Sequence, residues 1–142
     1  MADHKIAAKI FLIEDGKVLL LKRTSHDEYK PGIWELPGGQ LEFGEDPIQG
    51  IKRECIEEIN AEVNPCYVLN VKHFKKDSGD NKGQIVTMII YLGRLVNKQI
   101  KLGEEHVEYR WVGMKEAKEM ITPFFIKEID LYFELGFDRI IR

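Results

Sequence analysis

Glu54, Glu57 and Glu58 stand three and four residues apart in a segment, 47–59, that carries helical signals at both ends. Side chains at those spacings are neighbours on a helix surface, so the three carboxylates share one face at a cost of about a few tenths of a kcal/mol per like-charge pair. A divalent cation placed among them removes that cost. The donors are oxygens only, which selects a hard ion, Mg²⁺ or Mn²⁺, that keeps some of its waters and meets phosphate oxygens directly. Taken alone, three glutamates describe a solvated acidic face; the residues around them change that reading.

The helix is bounded by Asp46 as N-cap, Pro47 at the first helical position, Gln49 where a capping box wants Glu or Gln, and Asn60 as the stop. Ile48, Ile51, Cys55 and Ile59 form its buried stripe, with Ile56 at the edge, next to the carboxylate face. Upstream, residues 5–13 and 17–22 are strand-like runs joined through Glu14-Asp15-Gly16, a strong hairpin signal. A polar loop with Thr24, Ser25, His26, Asp27 and Pro31-Gly32 leads to a short strand, Trp34-Glu35-Leu36, which Pro37-Gly38-Gly39 is expected to end. Downstream, strands over 63–75 and 84–96 flank a turn cluster at 77–83, and a shorter strand spans 109–112. A helix is expected over 115–120. After Thr122-Pro123 a second one carries Phe125, Ile129, Tyr132 and Phe133 and ends at Gly136. Strands with interspersed helices predict an α/β domain with a mixed sheet, spanning residues 1–142 as one unit.

From Gly39 the chain gives five residues, Glu45, seven residues, then Arg53-Glu54-Cys55-Ile56-Glu57-Glu58-Ile59-Asn60-Ala61. This closely resembles the signature of the Nudix hydrolase family, in MutT-like form, G-x5-E-x7-R-E-U-x-E-E-x-G-U with U aliphatic. Every charged position matches. Asn60 replaces the usual glycine and Cys55 the usual aliphatic residue; asparagine can still end a helix and cysteine packs as a small hydrophobe. The Trp34–Gly39 approach and the Glu-rich loop before Trp111 are also similar to the family. The resemblance implies an α/β/α sandwich and Mg²⁺-dependent hydrolysis of a nucleoside diphosphate linked to another group, with Mn²⁺ able to substitute. It places metal ligands at Glu54, Glu57, Glu58 and the Gly38 carbonyl, with Arg53 and Glu45 orienting the carboxylates. Physical chemistry agrees: a bound cation neutralises phosphate charge and lowers the pKa of a coordinated water, a nearby carboxylate takes its proton, and Gly38 and Gly39 admit a close backbone approach. Arg53 can hold a carboxylate in its planar fork.

Outside the signature, Glu105 in Gly103-Glu104-Glu105-His106 fits the place where family members carry a further metal-binding or basic glutamate, while His106 is not expected to be a ligand. Arg23 closes the second strand where a family arginine meets substrate. Trp34, Phe43, Phe74, Trp111 and Phe125 offer surfaces for a base, although aromatics at such positions generally belong to the core.

The 142 residues carry 21 Lys+Arg against 24 Asp+Glu, a net charge of −3, without a basic block. Long nucleic acid is therefore not the expected partner; a small nucleotide is. Cys55 and Cys66 lack metal or disulfide spacing, and no apolar run reaches bilayer length. No export signal is evident, so the cytoplasm is the expected compartment, as a monomer or homodimer. The expected activity is a nucleoside triphosphate pyrophosphohydrolase, with ADP-ribose or a nucleotide sugar as alternative substrate and a non-catalytic nucleotide sensor as a further alternative. The residue that reads oxidised guanine in the archetypal member has no counterpart near Thr122-Pro123-Phe124.

Overall fold

Asp15 and Gly16 both take positive φ, 51° and 73°. They form a two-residue turn of the kind that matches the twist of antiparallel strands and join β1 (His4–Glu14) to β2 (Lys17–Arg23). The computed structural model describes residues 4–25, 32–77, 79, 81–97 and 99–142. His26, Asp27 and Pro31 of the expected polar loop, and Ser78 and Asp80 of the later turn, lie outside the described residues.

The remaining elements are β3 (Trp34–Glu35), β4 (Gly38–Gln40), α1 (Pro47–Ile59), β5 (Val63–Lys75), β6 (Ile85–Leu95), β7 (His106–Gly113) and α2 (Ile126–Glu134). β1 lies parallel to β6 along one edge, from His4↔Ile85 to Leu12↔Gly93. Its other edge meets β4 at Ala7↔Gln40 to Lys9↔Gly38, then β2 at Ile13↔Val18, both antiparallel. β2 also pairs with β3 and, along its length, with β7; β5 completes the far side on β6.

Alternation along β1 divides the core between two faces. Ala8, Ile10 and Leu12 meet Ile51, Cys55 and Ile59 of α1, whereas Ala7, Phe11 and Ile13 belong with Ile129 and Tyr132 of α2. The result is the expected α/β/α sandwich on a mixed sheet. α1 is capped as its sequence predicts: Asp46 Oδ2 accepts the Gln49 N–H at 3.1 Å, and Asn60 adopts the left-handed conformation at φ 53°. Among the described residues no helix is long and apolar enough to cross a membrane.

Pro37-Gly38-Gly39 ends the short strand β3 as expected, but the chain rejoins the sheet at once: Gly38–Gln40 pairs with β1 as β4. At Gly38, φ is +130° and a Cβ would stand 2.1 Å from the Ala8 carbonyl oxygen, so this strand can run where it does only as glycine. One expectation is corrected: the helix expected over 115–120 is a single 3₁₀ turn, Glu116–Glu119. Ile121 bridges to Trp34 and the Thr122 N–H donates to the Trp34 carbonyl at 2.8 Å, drawing the chain back to the sheet before a full helix can form.

Candidate active site

With the apolar stripe of α1 seated on the sheet, the adjoining face is turned toward β4. Arg53 is its organiser. Its Nε and Nη2 form a two-pronged pair with Glu45 at 2.8 and 2.9 Å, and its Nη1 donates to Glu54 at 3.2 Å and to Glu57 at 3.1 Å. One guanidinium thus holds three carboxylates, where the sequence suggested one. The Arg53 hydrogen bond, helped by the Glu42 backbone N–H, holds the Glu45 carboxyl down at about 2, and Arg53 itself is pushed to a still higher pKa by the same contact. Glu57 is exposed; Glu54 is largely covered.

β4 supplies the opposite wall. A Cβ at residue 39 would lie 2.9 Å from the Glu54 carboxyl carbon, so the missing side chain of Gly39 is the space that Glu54 fills. The Gly38 N–H donates to Glu58 Oε1 at 2.7 Å. Glu58 is buried, and burial pushes its carboxyl up to about 8 against the pull of Lys9 and the Gly38 N–H, with Glu54 and Glu35 adding to the rise. Burial raises Glu54 as well, opposed by Arg53.

Behind β4 lies a network that sequence reasoning missed. Lys9 Nζ donates to the carbonyls of Leu36 and Gly38, each at 3.1 Å, and pairs with Glu35 Oε1 at 3.4 Å. The Gly38 carbonyl expected to bind metal therefore already accepts one hydrogen bond, which leaves its second lone pair for a cation. Glu35 also receives Arg23 Nη1 and His106 Nε2, each at 2.8 Å from Oε2. Burial would raise the Glu35 carboxyl, but the charge of Lys9, the hydrogen bond from His106 and the contact with Arg23 outweigh it and bring it to about 2. A lone lysine inside the apolar run of β1 was the available signal: a charge among buried neighbours needs a partner.

The loop bearing Glu105 is fastened to the end of α1. The N–H groups of Lys101 and Gly103 donate to the Ile59 and Glu58 carbonyls at 3.0 and 2.9 Å, and Asn60 Nδ2 donates to the Lys101 carbonyl at 2.7 Å. These bonds satisfy carbonyls that a helix end leaves open. They also bring Glu58, Glu105 and a ring nitrogen of His106 within 4.8 Å of one another.

Glu54, Glu58, Gly38, Gly39, Arg23 and Glu105 all line one cleft of about 310 Å³, whose far end is Phe74, Phe124 and Phe125 with Thr122, Val86 and Met88. A second crevice is bounded by Glu54, Glu57, Glu58, Glu104, Glu105 and His106, and shares Glu54, Glu58 and Glu105 with the first. Of the five aromatics named from sequence, Phe74 and Phe125 reach the cleft; Trp34 and Trp111 pack against the two core faces and Phe43 is fully exposed elsewhere. Phe124, edge-on to Phe74 at 4.9 Å between centroids, was not anticipated.

The oxygens of Glu54, Glu57, Glu58 and the Gly38 carbonyl have the chemistry that suits a hard divalent cation. Glu54 and Glu58 share the cleft with Gly38, Glu57 stands on the neighbouring crevice, and among the described residues the ligand atoms found within 4.8 Å of one another are those of Glu58, Glu105 and His106.

The NUDIX domain family model matches residues 3–132. The chain is 30% identical over 105 residues to nucleoside triphosphatase NudI of Escherichia coli O139:H28, covering 69% of this chain and 74% of that protein. Its fold is similar to the crystal structure of a MutT protein from Methanosarcina mazei Go1, with a TM-score of 0.81 and 26% identity over 95% of this chain and 97% of that one. An ADP-ribose pyrophosphatase from Streptococcus suis shares the fold at a TM-score of 0.65 and 19% identity, covering 92% and 91%. With Glu54 and Glu58 of the signature set against β4 and a family match over nearly the whole chain, the protein belongs to the Nudix hydrolases, enzymes that act on phosphoric anhydride bonds.

Proposed function

We propose that this hydrolase is a nucleoside triphosphate pyrophosphohydrolase, splitting its substrate between the α and β phosphates to a monophosphate and pyrophosphate, with Mg²⁺ as the working ion and Mn²⁺ able to replace it. The observation that carries this is the continuity of the cleft from Glu54 and Glu58 to the Phe74–Phe124–Phe125 end. At about 310 Å³ it lies at the small end of ligand sites, which run from about 300 to 1,000 Å³, and it suits one base and a short phosphate chain. The NudI relative, a nucleoside triphosphatase by name, supports the same substrate class.

Glu54, Glu57, Glu58 and the Gly38 carbonyl would hold the cation, which when bound neutralises phosphate charge and makes a water acidic. Arg53 fixes the carboxylates before substrate arrives, so little reorganisation remains for the reaction. Arg23, anchored on Glu35, lines the cleft with Lys9 and Lys76 and adds positive charge along the phosphates. The aromatic end takes the base by stacking and apolar contact. Glu105, an exposed carboxylate on the rim, accepts a proton from the attacking water as its oxygen bonds to phosphorus and the bridging P–O bond breaks, the electron pair leaving with pyrophosphate.

The test is a product assay over nucleoside triphosphates, ADP-ribose, sugar nucleotides and dinucleoside polyphosphates with Mg²⁺, Mn²⁺ or EDTA. Monophosphate plus pyrophosphate, lost on chelation, is expected. Preference for ADP-ribose by kcat/KM would overturn the substrate class, and full turnover in EDTA would overturn the metal chemistry.

A further inference from the structure

His106 is buried completely, and its two ring nitrogens have different surroundings. Nε2 lies 2.8 Å from Glu35 Oε2, an oxygen that also receives Arg23 Nη1. An ionised carboxylate only accepts, so the proton of this bond is on Nε2, and Nδ1 is the nitrogen whose lone pair a cation could take. Nδ1 is the buried side-chain nitrogen or oxygen without any hydrogen-bond partner among the described residues. Leaving such an atom unpaired costs about 1–3 kcal/mol.

What faces His106 explains it. One ring nitrogen of His106 lies within 4.8 Å of a Glu58 oxygen and of a Glu105 oxygen, which are within the same distance of each other. With Nε2 committed to Glu35, Nδ1 is the nitrogen available to this group. A cation entering here would take the place of the proton on Glu58, and the three groups would then meet it with lone pairs from two carboxylates and one imidazole nitrogen. A carboxylate behind a histidine, fixing its tautomer and raising its basicity, is the usual support of a metal-bound imidazole; Glu35 is placed to give it.

We propose that Glu58, one oxygen of Glu105 and His106 Nδ1 form a mixed oxygen–nitrogen cation site, which leaves the other Glu105 oxygen to take a proton and gives this hydrolase a preference for a borderline transition ion such as Co²⁺ beyond what its all-oxygen set would show. The inference deepens the proposed function and rests on its reading that the carboxylates bind a divalent cation. Imidazole nitrogen favours transition ions in the sense of the Irving–Williams order, while Mg²⁺ gains little from it.

The test uses the whole chain without nucleotide: calorimetric titration of wild type and His106→Gln with CoCl₂ and with MgCl₂. The glutamine amide can still donate to Glu35 but has no imidazole lone pair. Co²⁺ affinity is expected to fall by about tenfold or more, with Mg²⁺ affinity held within about twofold. Because the variant alters a buried residue, pulsed EPR of the Mn²⁺-loaded wild type gives an independent readout: ¹⁴N coupling from a bound imidazole is expected. Equal losses for both ions, or no nitrogen coupling in the wild type, overturn the mixed site. A wild type that binds neither ion overturns the metal reading of the whole carboxylate face, a failure distinct from the loss of His106 alone.

Discussion

Glu58→Gln should make the metal-free protein more stable at pH 7 while removing its activity. The Glu58 carboxyl rises from 4.5 in the unfolded chain to about 8 in the folded one, chiefly through burial. The folded state therefore holds a proton that the unfolded state releases, and wild-type stability falls as pH climbs from about 4.5 to about 8. With 1.36 kcal/mol per pKa unit, the accumulated penalty is about 1 kcal/mol at pH 5 and about 3 kcal/mol at pH 7. Glutamine cannot ionise and escapes it. The Gly38 N–H keeps a neutral carbonyl acceptor in the amide, as it has in the protonated acid, so whatever separates the two acceptors is the same at both pH values. Comparing the two pH values cancels that constant term and leaves the variant's advantage about 2 kcal/mol larger at pH 7 than at pH 5. Urea denaturation of both proteins in EDTA at the two pH values measures this directly. A stability difference that does not change between pH 5 and pH 7 would refute the reasoning, because it would mean that Glu58 is compensated by neighbours and not strained by burial. Adding Mg²⁺ should stabilise the wild type and leave the variant nearly unmoved, and kcat of the variant should be lower by orders of magnitude.

Gly39→Ala places a Cβ 2.9 Å from the Glu54 carboxyl; a displacement near 1 Å should lower kcat by about a hundredfold with little change in Tm, and an unaltered kcat would show that Glu54 can move without consequence. Lys72→Met strips the partner from Glu128, which is fully buried and held by Lys72 at 3.0 Å and Asn70 at 2.8 Å. A loss of about 3 kcal/mol is expected, largely recovered by adding Glu128→Gln; no recovery would mean that the lysine acts through packing against Phe124. Glu105→Gln should reduce kcat without changing Tm, and Glu104→Gln, exposed in the same loop, should do neither; a deficit confined to Glu104 would reverse the two roles.

The local parts of this site were legible because single residues decide them. Asp46 and Pro47 start α1, Asn60 ends it, and the spacing of Ile51, Cys55 and Ile59 against Glu54, Glu57 and Glu58 separates its packed face from its chemical one. What escaped were pairings between residues far apart in the chain. Lys9 lies 26 residues from Glu35 and His106 a further 71 beyond it, so no window of sequence displays the network. β4 was hidden for another reason: two glycines carry no hydrophobic pattern, and their place in the sheet comes from how closely Ala8 approaches them. The 3₁₀ turn at 116–119 had helical residues but was overruled by the bridge of Ile121 to Trp34.

Cys55 follows Glu54 in the chain and Ile59 follows Glu58, so each acidic side chain sits about 100° around α1 from one wedged into the sheet. The azimuth of the helix is consequently set by the fit of a few methyl groups. Side-chain ends lie about 5–6 Å from the axis, so a roll of about 10° sweeps a carboxylate through roughly 1 Å. Truncating Ile51 or Ile59 by one methyl, a change of about 1 kcal/mol in folding, can thus detune the anionic face far more than it softens the fold. Turnover is for this molecule a finer gauge of core packing than melting temperature, and neutral drift beneath α1 is correspondingly narrow.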